Sequence, residues 1–374
     1  MSDYRCDDCG RRISAPGLVW RCACSGPLSL TTRGRFDPRA VSSRPLTIWR
    51  YREAMGIGHN VDPVTLGEGF TPIVTHEVAG LIARFKLEFL MPTGSFKDRG
   101  ASVVISQMAA AGVARAVEDS SGNAGLAMAA YGSHAGIAVD VLVPDDAPRA
   151  KLAAIEASGG RLMKMPGGRA AASAEALRRA ESGIPFASHV WNPFFLEGTK
   201  TFAFEVWEQT ERRLPPRVFI PVGNGSLLLG AFDGFAQLRE DGLAESLPRL
   251  MGVQAAACAP LAGALPPRED APVPVTAGMT IADGIRIASP PRARRIREAV
   301  ARSGGGFLMV TEEEIASARA ALGHRGLDVE PTAAVAFAGA LKWVRDEPQA
   351  AAQEAESVGS PLVALTGAGI KSLG

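Results

Sequence analysis

Beyond residue 43, short apolar or β-branched runs alternate with longer alanine-rich stretches. Val139-Asp-Val-Leu-Val143 and Val218-Phe-Ile-Pro-Val222 are two such runs, each ending near Gly or Pro. The spacing predicts helices over Ala101–Ala111, Gly125–Ala135, Ala170–Glu181 and Thr201–Arg212. Strands alternating with helices predict an α/β fold with mainly parallel sheets. In such sheets, ligands bind beyond the carboxyl ends of strands, where loops feed helix amino termini. Thr31–Ser43 reads as a polar linker, Pro260–Thr276 as a surface excursion, and Asp346–Ser357 as an exposed helix or loop.

Size and charge narrow the picture. A chain of 374 residues is too long for one ordinary core and implies two domains with a small appendage. Net charge is +1 and no basic block stands out, which gives no reason to expect nucleic acid or an anionic membrane as partner. No stretch approaches the roughly 18 uninterrupted apolar residues of a membrane helix. The opening MSDYRCDDCG lacks the pattern of a secretory signal, so a cytoplasmic protein is expected. Only seven lysines occur, so few residues compete for any lysine chemistry.

Four of the five cysteines fall in the first 24 residues, as Cys6-x-x-Cys9 and Cys22-x-Cys24. Two close pairs on a short ribbon are a zinc-ribbon arrangement, a closed structural site of four thiolates. The single residue between Cys22 and Cys24 strains chelation by both sulfurs, so a ribbon with free thiols stays open as the alternative. Cys258 reads as a buried structural thiol.

The most informative stretch is Leu87-Glu-Phe-Leu-Met-Pro-Thr-Gly-Ser-Phe-Lys-Asp-Arg-Gly100. Pro92, Thr93 and Gly94 make a turn, and Ser95 is expected as N-cap of the following helix. Lys97 then lies in the first helical turn, where the helix dipole disfavours an ammonium and eases imine formation with an aldehyde. A surface lysine paired with Asp98 is the alternative. Val222-Gly-Asn-Gly-Ser-Leu-Leu228 follows an apolar run and opens a helix, so its backbone N–H groups make an anion nest. Ser120-Ser-Gly-Asn-Ala-Gly125 sits at a strand-to-helix turn and by itself could be a simple capping turn.

PTGSFKDRG, with the upstream Thr65-Leu-Gly-Glu-Gly-Phe-Thr-Pro72, resembles the threonine synthase and threonine dehydratase branch of the fold-type II pyridoxal phosphate (PLP) enzymes. The resemblance runs to the end of the chain, and the cysteine-bearing start is similar to that of many archaeal and bacterial threonine synthases. It implies a tryptophan synthase β-like fold. The expected parts are a ribbon over 1–34, a large PLP domain from 35–100 with 187–374, and a small mobile α/β domain over 101–186. It implies that Lys97 carries PLP as a Schiff base and acts as catalytic base, and that Asn123 hydrogen-bonds the phenolic oxygen. Gly223, Asn224, Gly225, Ser226 and Leu227 would cradle the phosphate. The amides of Ser120, Ser121 and Gly122 would receive the substrate carboxylate. Thr366, in Leu365-Thr-Gly-Ala-Gly-Ile-Lys371, would present its hydroxyl to the pyridine nitrogen, which suits elimination and replacement at Cβ. A homodimer is expected by analogy.

The pattern breaks in one place. His189-Val-Trp-Asn-Pro-Phe-Phe-Leu-Glu-Gly-Thr-Lys200 aligns with a family segment that often reads N-S-V-N-P-Y-R-I-E-G-Q-K. The positions that help bind substrate phosphate are here His189, Val190 and Phe195. Ala124 replaces a common hydroxyl and Ala368 a common His. A buried Arg contact to an anion is worth on the order of 2–5 kcal/mol. Either Lys200, Arg99 or His189 binds phosphate instead, or the substrate is not phosphorylated. The expected function is an amino-acid lyase/synthase resembling threonine synthase. The alternative is a serine/threonine dehydratase or β-replacement synthase acting on a non-phosphorylated or differently activated amino acid.

Overall fold

The computed structural model describes residues 2–15, 17–58, 61–262 and 277–372. Of the expected Pro260–Thr276 excursion, residues 263–276 lie outside the described residues. Along the chain come β1 (Ser2–Cys6), β2 (Arg12–Ala15), β3 (Leu28–Leu30), α1 (Pro38–Val41), β4 (Ile73–Val78) and β5 (Leu81–Lys86). Next are α2 (Lys97–Ala110), β6 (Arg115–Glu118), α3 (Asn123–His134), β7 (Ala138–Pro144), α4 (Arg149–Ala157), β8 (Arg161–Met165), α5 (Gly168–Glu181) and α6 (Phe194–Gln209). The chain closes with β9 (Arg217–Pro221), α7 (Ser226–Glu240), β10 (Arg249–Ala255), α8 (Ala293–Arg302), β11 (Gly306–Val310), α9 (Glu312–Gly323), α10 (Pro331–Asp346), α11 (Pro348–Ser357) and β12 (Leu362–Ala364). The alternation of strand and helix matches the α/β expectation.

The chain groups into two compact units. Of the described residues, the first comprises those up to Phe70 with Met91–Thr201, and the second Thr71–Leu90 with those from Phe202 to Ser372. In the first, β6, β7 and β8 form a parallel sheet with β7 in the centre. Strand β7 is buried along almost its whole length, which is why it reads as an unbroken apolar run rather than an alternating one. Helices α2 and α3 pack with it through Val103, Val104, Ile105, Ala127, Met128, Val139 and Val141. Burying each large apolar side chain of such a core is worth about 1.5–3 kcal/mol. The ribbon, ordered β2-β1-β3, belongs to this unit. Tyr4 meets Phe194 edge-on at 6.4 Å, and Trp20 meets Phe186 at 5.3 Å.

The second unit holds a six-stranded sheet ordered β11-β10-β9-β12-β5-β4, parallel except for the β4–β5 hairpin. Helix α10 packs against it, with Phe337 at 5.5 Å from Phe85 and Trp343 at 5.9 Å from Phe219.

These units divide the chain differently from the expected domains. A boundary at 100/101 would cut α2 one turn in, yet that helix runs unbroken and its Ala101–Ile105 stretch lies in the β6–β7 core. The ribbon is packed by its aromatic residues rather than detached. Thr71–Leu90 goes to the second unit because β5 pairs with β12. Ser95 does not cap α2. Phe96 holds that position without a side-chain bond, and the Ser95 hydroxyl is buried without a hydrogen-bond partner among the described residues.

Candidate active site

Lys97 is the first residue of α2. Its neighbour Asp98 does not lie on the surface. Asp98 is fully buried and accepts the Thr93 backbone N–H at 2.7 Å and the Thr93 hydroxyl on its other oxygen. The loop is thereby clamped back onto the helix start, fixing where the lysine emerges. The half-buried amine lies 4.5 Å from the Phe96 ring centroid and 5.8 Å from that of Phe195. Phe195 is fully buried and replaces any side chain at Gly100, where a Cβ would meet its ring at 2.4 Å.

Strand β6 delivers Glu118 and then Asp119 to its carboxyl end, directly before Ser120-Ser121-Gly122 and the start of α3 at Asn123. The Ser120 hydroxyl accepts the Gly122 N–H at 3.2 Å, and Gly122 precedes the helix with no side-chain cap. This is the half-buried amino terminus of a helix, suited to an anion. Glu118 is wholly buried and stands 2.9 Å from Nδ1 of His189. Burial pushes the Glu118 carboxyl well above the usual carboxylate range, Asp119 adds to that, and Lys97 opposes it. Burial likewise pushes His189 well below its usual range, with Lys97 and then Arg169 adding to the shift. Burial also raises Asp119, against a 2.6 Å hydrogen bond from Ser173. The sequence singled out His189 but missed Glu118 and Asp119. Their only signal was a pair of acids ending an apolar strand just before the serine loop.

Two other expected residues are engaged elsewhere. Lys200 is buried and paired with Glu197, which also accepts the Gly56 N–H at 2.7 Å. Arg99 is wholly buried and donates to the Thr201 hydroxyl at 2.9 Å. Ala124 is buried in α3.

Within the second unit lie Gly223–Leu227 and Thr366. The glycine segment follows β9 and starts α7, with Gly225 at φ +74° as the residue before the helix. A side chain there would be strained, and its Cβ would meet Ile296 at 2.4 Å. A Cβ at Gly223 would meet Ile285 Cα at 3.0 Å. Thr366 follows β12, the strand next to β9, so both loops leave the same edge of one parallel sheet. Its hydroxyl is buried without a partner among the described residues. A buried orphan hydroxyl costs about 1–3 kcal/mol, so the site fits a group that supplies its partner. The nest fits a phosphate.

The ribbon brings four sulfurs together. Cys6 Sγ lies 3.5 Å from Cys24 Sγ and Cys9 Sγ 3.8 Å from Cys22 Sγ, and all four lie within 4.8 Å of one another. The one-residue spacing of Cys22 and Cys24 does not prevent this, because each pairs across the ribbon. Tetrahedral zinc with bonds near 2.3 Å requires sulfur separations of about 3.8 Å. The Arg11 backbone N–H, with Cys24 and Cys6, lowers the Cys9 thiol to about 7. Cys258 is buried as expected.

Comparison with known proteins gives a consistent answer. Residues 64–357 match the family described as pyridoxal-phosphate dependent enzyme. The chain is 31% identical to a threonine synthase of Methanocaldococcus jannaschii over 91% of this chain and 87% of that one. It is 36% identical to a threonine synthase of Mycobacterium leprae over 80% of this chain and 83% of that one. Among solved structures it is similar to a serine racemase from Dictyostelium discoideum, with a TM-score of 0.65 and 25% identity over 80% of this chain and 92% of that one.

Proposed function

Because the chain belongs to the pyridoxal-phosphate dependent enzyme family and is a lyase/synthase resembling threonine synthase, we propose that it removes a leaving group from an amino acid and adds water. The observation that carries this reading is the half-buried Lys97 amine at the start of α2, beside the buried Glu118 and His189. PLP, when bound, supplies an electron sink at the substrate α-carbon. In this reading Lys97 tethers the cofactor and, once displaced, moves the proton at Cα. Asn123 would hydrogen-bond the phenolic oxygen of the cofactor, Gly223, Asn224, Gly225, Ser226 and Leu227 would hold its phosphate through backbone N–H groups, and the Thr366 hydroxyl would serve its ring nitrogen. Ser120, Ser121 and Gly122 orient the substrate carboxylate at the amino terminus of α3.

A second reading, elimination or replacement on a non-phosphorylated amino acid, is favoured by a specific observation. Phe195 is apolar and fully buried near Lys97, while Lys200 is committed to Glu197. The four ribbon thiols would hold a structural zinc ion. We also take the enzyme as a homodimer and as cytoplasmic. The exposed Met279, Ile281 and Met309 support the first, and cysteines grouped for a metal rather than for disulfides suit a reducing compartment.

The purified protein should show the visible absorbance of a lysine-bound cofactor, and Lys97→Ala should lose it. An unchanged spectrum sinks the cofactor assignment. Assays run side by side then separate the two readings. Phosphate release with threonine formation from O-phosphohomoserine selects the first, and 2-oxo acid from serine or threonine selects the second. Metal analysis should find one zinc per chain, lost in Cys9→Ser.

A further inference from the structure

The cofactor and substrate groups leave the amino-terminal ribbon without a part in the reaction. Yet the ribbon and residues 186–195 belong to the same unit, and aromatic rings join them. Trp20 stands edge-on to Phe186 at 5.3 Å and to Trp191 at 5.9 Å, and Tyr4 stands edge-on to Phe194 at 6.4 Å. These rings bracket His189 in the chain and end beside Phe195. Between them the chain folds into one tight turn. The Ser188 hydroxyl accepts the Val190 N–H at 3.2 Å and the Trp191 N–H at 3.3 Å, and the Asn192 side chain donates to the Phe186 carbonyl at 3.1 Å. A turn so cross-linked moves as one body, so whatever holds its aromatic side also sets where His189 and Phe195 stand. Those two rings lie 6.2 Å apart, and the Lys97 amine lies 5.8 Å from the Phe195 centre.

The ribbon, residues 2–30, is too small to hold Trp20 and Tyr4 by its own packing. Its own buried cluster among the described residues is Tyr4, Cys6, Cys22 and Leu28, and two of these are thiols. A piece of this size takes its shape from a metal or from disulfides. Its cysteines are not joined as disulfides, and their four sulfurs lie within 4.8 Å of one another, so a metal clip is the staple that fits. The clip and the rings are close in the chain. Cys6 follows Tyr4 by two residues and Cys22 follows Trp20 by two. The Tyr4 hydroxyl donates to the Gly17 carbonyl at 3.1 Å, which ties the start of β1 to the loop before Trp20. Arg21 lies 4.7 Å from the centre of the Trp20 ring and pairs with Glu181 of α5 at 2.5 Å.

We propose that Trp20 and Tyr4 are positioning residues: clipped in place by the four-thiol site, they hold the 186–195 turn and so fix His189 and Phe195 for the substrate. The ribbon governs substrate affinity without touching substrate, and its metal acts on KM while the cofactor stays bound. The inference rests on the reading of His189 and Phe195 as the substrate side of the site.

Hydrogen exchange and steady-state kinetics of the holoenzyme test this together. In Trp20→Ala, the amides of residues 186–195 should exchange about tenfold or more faster than in wild type. KM should rise by about 10- to 100-fold for whichever of serine, threonine or O-phosphohomoserine is turned over, with kcat changed by less than about threefold. The visible cofactor band and the zinc content should stay. Trp20→Phe keeps an edge-on ring and should restore both exchange and KM. Zinc depletion of the wild-type holoenzyme with a chelator tests the same link with no substitution. It should reproduce the Trp20→Ala exchange and KM, and added zinc should reverse it in wild type but not in Cys9→Ser. Unchanged exchange over 186–195 in Trp20→Ala and in zinc-depleted wild type overturns the proposal. So does a Trp20→Ala loss in which kcat, KM and the visible band fail together, since that is general destabilisation. Failure of the substrate-side reading looks different: exchange quickens over 186–195 while KM stays put for every amino acid turned over, and the kinetic half of the proposal falls with it.

Discussion

Glu68 and Glu118 are both wholly buried in the first unit, but their surroundings differ. Glu68 accepts the Trp49 indole N–H at 3.1 Å on one oxygen. On the other it accepts Tyr131 OH at 2.9 Å, Thr65 Oγ1 at 3.0 Å and the Leu66 N–H at 2.9 Å. Glu118 has His189 on one oxygen, while the other has no hydrogen-bond partner among the described residues. A buried carboxylate with both oxygens engaged holds a fold together. One left half-engaged at the end of a strand is strained by burial and available for chemistry. The difference shows how to separate structural from working acids within one core: by the completeness of their hydrogen bonds rather than by their depth.

Three measurements press on that comparison. Glu68→Ala should cost about 3 kcal/mol or more of unfolding free energy, because it orphans several buried donors at once, and denaturant unfolding would show it. A loss under about 1 kcal/mol would break the contrast from the structural side. Glu118→Gln should behave in the opposite sense, with an effect that depends on pH. The folded-state acid is raised, so above the ordinary Glu range near pH 4.3 the unfolded chain loses a proton that the folded chain keeps. Wild-type stability therefore falls relative to the Gln variant as pH rises, by about 1.4 kcal/mol per pH unit until the folded acid itself ionises. His189 works in the other direction, costing stability as pH drops below about 6.5, but it does so in both proteins and cancels in the difference. A flat difference between about pH 5 and pH 8 would falsify the raised acid. Smallest of the three, Tyr131→Phe removes one donor among several to Glu68 and should cost about 1 kcal/mol without altering the pH profile.

Much of this was legible in the sequence. Period and composition placed α3, α5 and β7 within a few residues, because each has one buried face or a continuous apolar run. The lysine loop and the glycine nest were legible because turn chemistry is local. Helix α6 was placed seven residues late, at Thr201 rather than Phe194. The Asn192 side chain caps the Phe194 N–H at 3.1 Å and Pro193 precedes the helix, so it starts earlier than its apolar period suggests. Glu118 was illegible for a different reason. An acid at a strand end looks solvated, and what buries it is the His189 segment, 71 residues away in the chain. The same holds for Lys200, whose buried partner Glu197 is held by the Gly56 N–H from a distant loop.

Strand β12 is only three residues long and is locked by parallel pairing to β5 on one side and β9 on the other. Thr366 stands two residues beyond its last one. Side chains along extended chain alternate between faces, so a slip of one residue in that register would turn the hydroxyl to the opposite side. The short stretch from Leu362 to Thr366 therefore acts as a ruler: residues within it can be exchanged more freely than one can be added or removed.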